Sequence, residues 1–473
     1  MAVDKKISQL TSLAQVDVAA STDVLPIVDT SATETKKITV SALVGAGATA
    51  GLTNVDINSG TIDGTTIGAS SASTGAFTTL SATGVTTLQA GSASAPAATT
   101  TGDTNTGIYF PAADQVAVTT GGTVAAAFNT NGLFFRNRII NGDMRIDQRN
   151  AGASITLSTT TQWPVDRWSS YKGTAGATVT AQQSSTAPTG FTNSIVYTAS
   201  TGATPAAGDV NGFWQQLEGF NVADLGWGAA NAQTVTLSFW VRSSVTGTYS
   251  VSFTNSAANR FYVATYTVNS ANTYEYKTIT VAGDTSGTWL TNNGVGIQIV
   301  WDLGYGTNFN GTAGSWSGST IRRTSGSVQL IATTGATLYI TGVQLETGSV
   351  ATPFERRLLS DELMRCYRYF ETSLTAAPSS SLSIAEAGWL PTAGVGVTTP
   401  ISLLYRVQKR ATPTFTIYAP GTATFTNYVR EGDTGTFRAV GGSLINQNSL
   451  VFGVTSGAAS AYYQCGYAVS AEL

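Results

Sequence analysis

The stretch from Asn54 to Gly102 limits what this chain can fold into more than any other part of it. It contains N-V-D-I-N-S-G-T-I-D-G-T-T-I-G-A-S-S-A-S-T-G-A-F-T-T-L-S-A-T-G-V-T-T-L-Q-A-G-S-A-S-A-P. The large apolar residues (Val55, Ile57, Ile62, Ile67, Phe77, Leu80, Val85, Leu88) stand singly in a bed of Thr, Ser, Gly and Asn. Strand formers and turn residues are plentiful, but one copy has too few large side chains to build a core. Such a segment is either a disordered linker or a shaft in which identical copies pool their apolar residues along a shared axis. The short, regular spacing of Thr, Val and Ile favours the shaft. Three strands close around a line and leave no open edge, so a homotrimer is the economical form.

Composition narrows the class. Charged residues make up 11% of the 473, against roughly 25% in an ordinary soluble domain. Uncharged polar surface with many β-branched residues describes an all-β extracellular or virion protein, not a cytosolic enzyme or a charged disordered tail. A net charge of −3 leaves no electrostatic footprint for nucleic acid or an anionic membrane. No apolar run approaches the roughly 20 residues that span a bilayer, so no membrane insertion is expected. The start, M-A-V-D-K-K-I-S-Q-L, lacks the apolar stretch of a signal peptide. A chain made in the cytoplasm and used outside it suits a virus particle. Histidine is absent, which removes the usual general base and the commonest transition-metal ligand. No cofactor, no metal and no catalytic residue are therefore expected. Cys366 and Cys465 lie far apart without a partner motif and read as buried free thiols ahead of a disulfide or metal site.

Along the chain, residues 1–50 form a distinct unit. Alternation in Val24–Val28 and Thr35–Val40 predicts two short strands facing each other across a turn. The unit is too small to stand alone, so Ile7, Leu10, Leu25, Ile27, Val28 and Ile38 are candidates for docking onto another protein. The shaft occupies 51–100. Residues 101–135 read as a β-meander with strands at Gly107–Phe110, Gln115–Thr119 and Thr123–Phe128. In 136–350, strands are expected at Ser194–Thr198, Thr234–Ser243, Thr248–Thr254, Arg260–Val268, Tyr274–Val281, Val295–Asp302, Ser327–Ala332 and Thr337–Glu346. In T-V-T-L-S-F-W-V-R, Val235, Leu237, Phe239 and Val241 point one way while Thr236, Ser238, Trp240 and Arg242 point the other. About eight such strands predict a two-sheet sandwich of jelly-roll type. Residues 351–371 hold a connecting helix, with Ser360 as a cap and helix proper over Asp361–Glu371. Its Leu363, Tyr367 and Phe370 form an apolar stripe, flanked by Leu359, Cys366 and Tyr369, that suits core or three-helix contact. Residues 372–473 return to strand and turn and form a smaller β domain at the far end.

Candidate chemistry is sparse. Asp143, Asp147 and Asp166 could bind a cation, but Arg145, Arg149 and Arg167 beside them favour ion pairs that fix the entry to the sandwich. The loop W-D-L-G-Y-G-T-N-F-N-G-T-A-G-S-W-S-G-S, 301–319, is the most ligand-like stretch. Tyr305, Phe309 and Trp316 offer flat faces to sugar rings, and Asp302, Asn308 and Asn310 offer orienting hydrogen bonds. Against this, aromatic residues under a long loop or at a trimer interface would look the same. Trp214 and Trp227 are further glycan-binding candidates, although their alternation with Phe213, Leu217 and Leu225 points to core packing. Tyr462 and Tyr463, with Tyr467, lie on the terminal strand and would suit receptor contact at a tip.

Several segments together resemble the tail fibres and related receptor-binding proteins of tailed bacteriophages. K-K-I-S-Q-L…D-V-L-P-I-V…K-K-I-T-V-S-A-L is similar to their particle-anchoring segment, and V-D-I-N-S-G-T-I-D-G-T-T-I-G to their shaft repeats. D-T-N-T-G-I-Y-F-P-A-A-D-Q-V-A-V resembles a strand-rich block that often follows. N-R-I-I-N-G-D-M-R-I-D-Q-R-N-A-G with D-R-W, and I-T-G-V-Q-L-E-T-G-S-V-A-T-P-F-E-R-R, resemble the borders of a jelly-roll domain similar to carbohydrate-binding modules. E-L-M-R-C-Y-R-Y-F-E and R-A-T-P-T-F-T look like the start of their C-terminal module. The resemblance implies a trimeric virion fibre, assembled in the host cytoplasm and held by its N-terminus to a tail, baseplate or other virion protein. It would contact host cell-surface glycan by multivalent, non-catalytic binding. The alternatives are a tailspike-like polysaccharide depolymerase, which needs two carboxylates roughly 5–10 Å apart, and an adaptor fibre that holds another receptor-binding protein.

Overall fold

The computed structural model describes residues 83–128, 136–374, 396–419, 427–431, 435–455, 457 and 462–473, together with the backbone of 24–29, 34–39 and 388–391. Ile7, Leu10 and the shaft up to residue 82 lie outside the described residues. Contacts divide the chain into two units, 1–86 and 87–473. In the first, Val24–Asp29 pairs antiparallel with Glu34–Thr39, which sets Leu25 opposite Ile38 and Val28 opposite Thr35. Ile27 lies opposite Lys36 in the same ladder.

The second unit is almost entirely β. Ala98–Thr100, Asp103–Tyr109, Val116–Thr120 and Thr123–Phe128 form a four-stranded meander in sequence order. One face buries Tyr109, Ala117 and Val124 against Val350. Ile108 pairs with Val118, and Val116 with Phe128, so these four residues share the opposite face.

Residues 136–350 form the expected sandwich. A six-stranded sheet runs Glu275–Val281, Val235–Ser243, Thr337–Thr347, Ser194–Thr201, Thr178–Ser184, Ile155–Thr156. A seven-stranded sheet runs Trp316–Ser317, Phe261–Val268, Gly247–Thr254, Val295–Asp302, Asn211–Glu218, Trp168–Lys172, Gln162–Val165. From residue 194 onward the chain crosses repeatedly from one sheet to the other, which is the jelly-roll course. Between the sheets the Phe213 ring stacks on Tyr197 at 4.5 Å and on Trp301 at 5.4 Å, with Trp168 and Phe239 packed against the Trp301 ring. Burying one such large apolar side chain stabilises the fold by roughly 1.5–3 kcal/mol.

Two elements differ from the sequence reading. Ser327–Ala332 is not a strand; only Leu330–Ala332 forms a turn of 3₁₀ helix. The helix is shorter than expected, Leu359–Tyr367, with Leu358 before it, no side-chain cap, and Ser360 inside its first turn. Phe370–Thr372 leaves the helix to pair with Ser470, Val469 and Ala468. Tertiary contacts fix this change, because the Glu371 carboxylate receives Lys409 Nζ at 2.6 Å and Tyr467 Oη at 2.7 Å. The helix therefore buries Glu362 and Cys366, while Leu359 and Met364 are exposed.

The C-terminal β domain is built on Tyr462–Ser470, which pairs with Phe370–Thr372, Gly388–Pro391, Thr414–Tyr418 and Tyr428–Glu431. Phe437–Ile445, Ser449–Thr455 and Thr398–Leu404 extend the sheet. Buried ion pairs join this domain to the sandwich. Glu218 receives Arg368 Nε at 2.8 Å and Tyr369 Oη at 2.8 Å. Glu472 pairs with Arg149 at 3.0 Å and with Arg167. Arg149 also reaches Asp166 at 3.4 Å, and Asp143 pairs with Arg145. Of the charged motif at the sandwich entry, Asp143 and Asp166 are thus taken up in ion pairs, while Asp147 instead accepts from Asn150 N at 3.0 Å and Gly152 N at 2.8 Å. Both cysteines are buried free thiols.

Candidate functional site

The 301–319 loop does not stand open. Arg322 lies over the Phe261 ring at 4.9 Å, Ile321 packs with Phe261 and Val263, and Gly314 N donates to Val263 O at 2.9 Å. The segment is thereby strapped onto the outer face of the seven-stranded sheet. Asp302 is 1% exposed. Its Oδ1 accepts from Gly304 N at 2.6 Å and Tyr305 N at 2.7 Å, and its Oδ2 pairs with Arg323 Nε at 3.1 Å. Burial pushes this carboxyl up to about 6 even with Arg323 beside it. Asp302 is a brace for the loop and not a ligand contact.

Tyr305 is also buried. Its ring lies over Gly212, where an added Cβ would sit 2.8 Å from Cε2, and burial pushes its phenol up to about 12. Phe309 is half-buried and meets Tyr305 edge-on at 5.2 Å, while Asn308 is exposed. Trp227 belongs to the core, its Nε1 donating to Gln233 O at 2.8 Å. Trp316 is half-buried, wedged between Trp227 and Trp289 at 5.3 and 5.4 Å, with its own Nε1 on Ala282 O. Asp302 and Tyr305 are therefore structural residues and not glycan contacts, because the packed loop has no face left to offer, and Trp227 is likewise structural because its ring is in the sandwich core. Trp214 is half-buried and shares the outer face with Gly212, two residues along the strand. At the far end Tyr463 is fully buried in the C-terminal core, which removes it from the tip; Tyr462 is half-buried.

The aromatic surface of the sandwich lies on the other sheet. Trp240 and Tyr276 are cross-strand partners with ring centroids 5.3 Å apart, and Tyr276 is 42% exposed. One position along, Arg242 faces Tyr339 across the next ladder and lies 4.8 Å from its ring. Tyr274 meets Tyr339 at 6.4 Å and fixes its hydroxyl on Thr186 O at 2.7 Å. On the opposite side of Trp240, Gly342 adopts φ +61 at a bulge; a Cβ there would lie 2.7 Å from Phe191 Cζ and 3.1 Å from Trp240 Cδ1. Only glycine lets these two rings approach over the strand. Phe191 continues to Phe354 at 5.2 Å, and exposed Arg356 lies over Phe191 at 4.8 Å. The result is a belt of six rings flanked by two guanidinium groups: Trp240, Tyr276 and Tyr339 stand on strands of the sheet, Tyr274, Phe191 and Phe354 on the segments beside them, and all but the exposed Tyr276 are half-buried. Burial raises the Tyr274 and Tyr276 phenols above their ordinary value, so both stay neutral; the single proton of Tyr274 is already given to Thr186 O.

Part of the belt is visible in the sequence. Alternation already sets Trp240 and Arg242 opposite Phe239 and Val241, and T-Y-E-Y-K at 273–277 sets both tyrosines on one face. Phe191 and Phe354 come from irregular segments with no period to expose them. Among the described residues no group of three His, Cys, Asp or Glu is placed to hold a metal ion. No helix among them is long and apolar enough to cross a membrane.

No family model matches this chain, and no curated protein matches it. Solved structures with some likeness include the enzymatically active domain of bacteriophage CBA120 tailspike protein 4, at 14% identity and TM-score 0.23. That match covers 45% of this chain and 21% of the tailspike chain. A family 4 carbohydrate-binding module matches at 13% identity and TM-score 0.23, covering 44% of this chain and 98% of its own. The family 11 carbohydrate-binding module of a Clostridium thermocellum cellulosomal cellulase matches at 15% identity and TM-score 0.22, covering 42% and 98%. Scores this low carry no inference about ligand or activity.

Proposed function

We propose that this chain is a non-catalytic virion fibre subunit, a phage tail fibre, that associates as a homotrimer and recognises host-surface glycan through its sandwich. The observation that carries the glycan reading is the belt around Trp240 and Tyr276. Flat apolar rings packed side by side on and beside a sheet, with the phenol of Tyr276 exposed among them, are what a hydroxylated ring-shaped ligand needs. Residues 1–50, with their short hairpin, would anchor to a tail or other virion protein, and 51–100 would form the shaft.

The meander supports association between copies. A sheet with one solvated face ordinarily alternates apolar-in and polar-out. Here Ile108, Phe110, Val116 and Phe128 are exposed, and Val118 lies among them, so the outward face is apolar as well. A second copy of the chain covers such a face. The described carboxylates Asp143, Asp166, Asp302, Glu218, Glu371 and Glu472 are each committed to a basic partner, which supports binding over hydrolysis. A glycan array probed with the full chain, followed by an assay for newly released reducing ends on any retained polysaccharide, tests the reading. Retention without release is expected. Release that is lost in a single Asp→Asn variant overturns it in favour of a depolymerase.

A further inference from the structure

Most arginines of the sandwich have a carboxylate partner. Arg138 pairs with Asp224, Arg260 with Asp284, Arg323 with Asp302 and Arg357 with Glu362. Arg136 and Arg322 are instead taken up by Thr352 Oγ1 and the Phe261 ring, and Arg242 and Arg356, on the belt, also lack a carboxylate. Arg242 gives its Nε to Asn272 O at 2.9 Å and lays its guanidinium beside Tyr339, which leaves the terminal nitrogens outside any ion pair among the described residues. Arg356 is exposed and, among the described residues, meets rings and no carboxylate: Phe191 at 4.8 Å and Phe354 at 5.9 Å. Of the carboxylates near this face, Glu346 is buried beneath Thr352, whose backbone N–H at 2.9 Å and hydroxyl at 2.6 Å occupy its oxygens, while Glu275 pairs with Lys277 and Glu355 with Arg357.

The register sets the two cations on opposite sides of the belt. Arg242 faces Tyr339 and Trp240 faces Thr341, so Arg242 lies on one side of the Trp240 ring along the strand. Gly342, Phe191 and Arg356 lie on the other. A guanidinium seated against aromatic faces is partly desolvated and keeps its planar fork of donors oriented, the arrangement that recognises carboxylate and similar oxyanions. A neutral glycan can use the rings and accept hydrogen bonds from the guanidinium groups, but it offers these two cations no opposite charge.

We infer that the ligand of this face is an acidic glycan, its sugar rings on Trp240 and Tyr276 and its anionic substituents on Arg242 and Arg356. This rests on the belt being the glycan-binding surface. The test is an array of uronate-, sialate- and sulfate-bearing glycans beside neutral ones, including carboxyl-reduced forms of the same uronate polymers, probed with the full chain at low and high salt. Retention of acidic glycans, weakened by salt and about tenfold tighter than of the carboxyl-reduced forms, is expected. Retention confined to the sulfated or to the carboxylated members identifies which oxyanion the forks take. Arg242→Gln and Arg356→Gln should each lower acidic retention about tenfold, with Arg242→Lys recovering part of it. Neutral and acidic glycans retained equally, with the arginine variants unchanged, overturn the inference and leave glycan binding by the belt intact. Retention of no glycan overturns both.

Discussion

Trp240→Ala separates the two aromatic surfaces of the sandwich. The Trp240 ring packs on Tyr276 at 5.3 Å and borders Phe191 over Gly342, but it is half-buried and on the solvent side of its sheet. Truncation therefore opens no core cavity, and the missing aromatic pair costs about 0.5–1.5 kcal/mol of stability. Taking one sugar-stacking ring out of each site weakens binding by a similar amount, about 1.4 kcal/mol or a tenfold drop in affinity per chain. If three chains engage one surface together, these decrements compound towards roughly a thousandfold in avidity. Trp214→Ala is the control, since that ring is half-buried on the outer face of the other sheet and outside the belt. The assay is surface-plasmon binding of the full chain to immobilised polysaccharide selected by an array, at low and high ligand density. The expected result is a tenfold drop at low density, a steeper drop at high density and an unchanged Trp214→Ala. Full binding by Trp240→Ala, with weakened binding by Trp214→Ala, would move the site to the outer face of the seven-stranded sheet and refute the argument.

Other outcomes follow from the packing. Lys409 and Glu371 are both fully buried, so Lys409→Met leaves an unpaired carboxylate and should cost about 3–5 kcal/mol. Adding Glu371→Gln, which removes the charge, should recover much of that in denaturant melts, and equal stabilities of the single and double variants would contradict it. Burial raises the Asp166 carboxyl to about 7 against an ordinary value of 3.8. A raised acid stabilises the fold most when protonated, so its contribution falls as pH rises from about 4 to about 7 and is level above that. Relative to Asp166→Asn, the native chain should lose about 2–3 kcal/mol between pH 5 and pH 7, and parallel stability curves would exclude this. Ile108→Lys with Val116→Lys on the open face of the meander should shift sedimentation from three times 48.9 kDa towards a single chain; an unchanged trimer would assign the association to another surface.

Much of the fold is legible in the sequence because strands announce themselves with a period of two. Val235–Ser243, Phe261–Val268 and Val295–Asp302 sit within one residue of the expected bounds. Asn211–Glu218 alternates in sequence without standing out as a strand, and Trp168–Lys172 gives no signal, because Ser169 and Ser170 are buried polar residues on a covered sheet. The expected helix is too long because Phe370 and Glu371 continue its pattern locally; Lys409, Arg406 and Tyr467, which draw Glu371 into a strand, lie 35 to 96 residues away. The candidate site is the least legible part. Composition marks the 301–319 loop as aromatic and polar, yet whether rings face a ligand or a sheet depends on where the loop lies. Arg322 and Arg323 tie it down through Phe261 and Asp302, pairings that no spacing reveals.

Radical footprinting of the full chain with and without its array-selected glycan tests the central claim most directly. Trp240, Tyr276 and Tyr339 should become protected while Trp214 and Phe309 keep their labelling. Protection confined to Trp214 and Phe309, with the three belt residues labelled as before, would contradict the account.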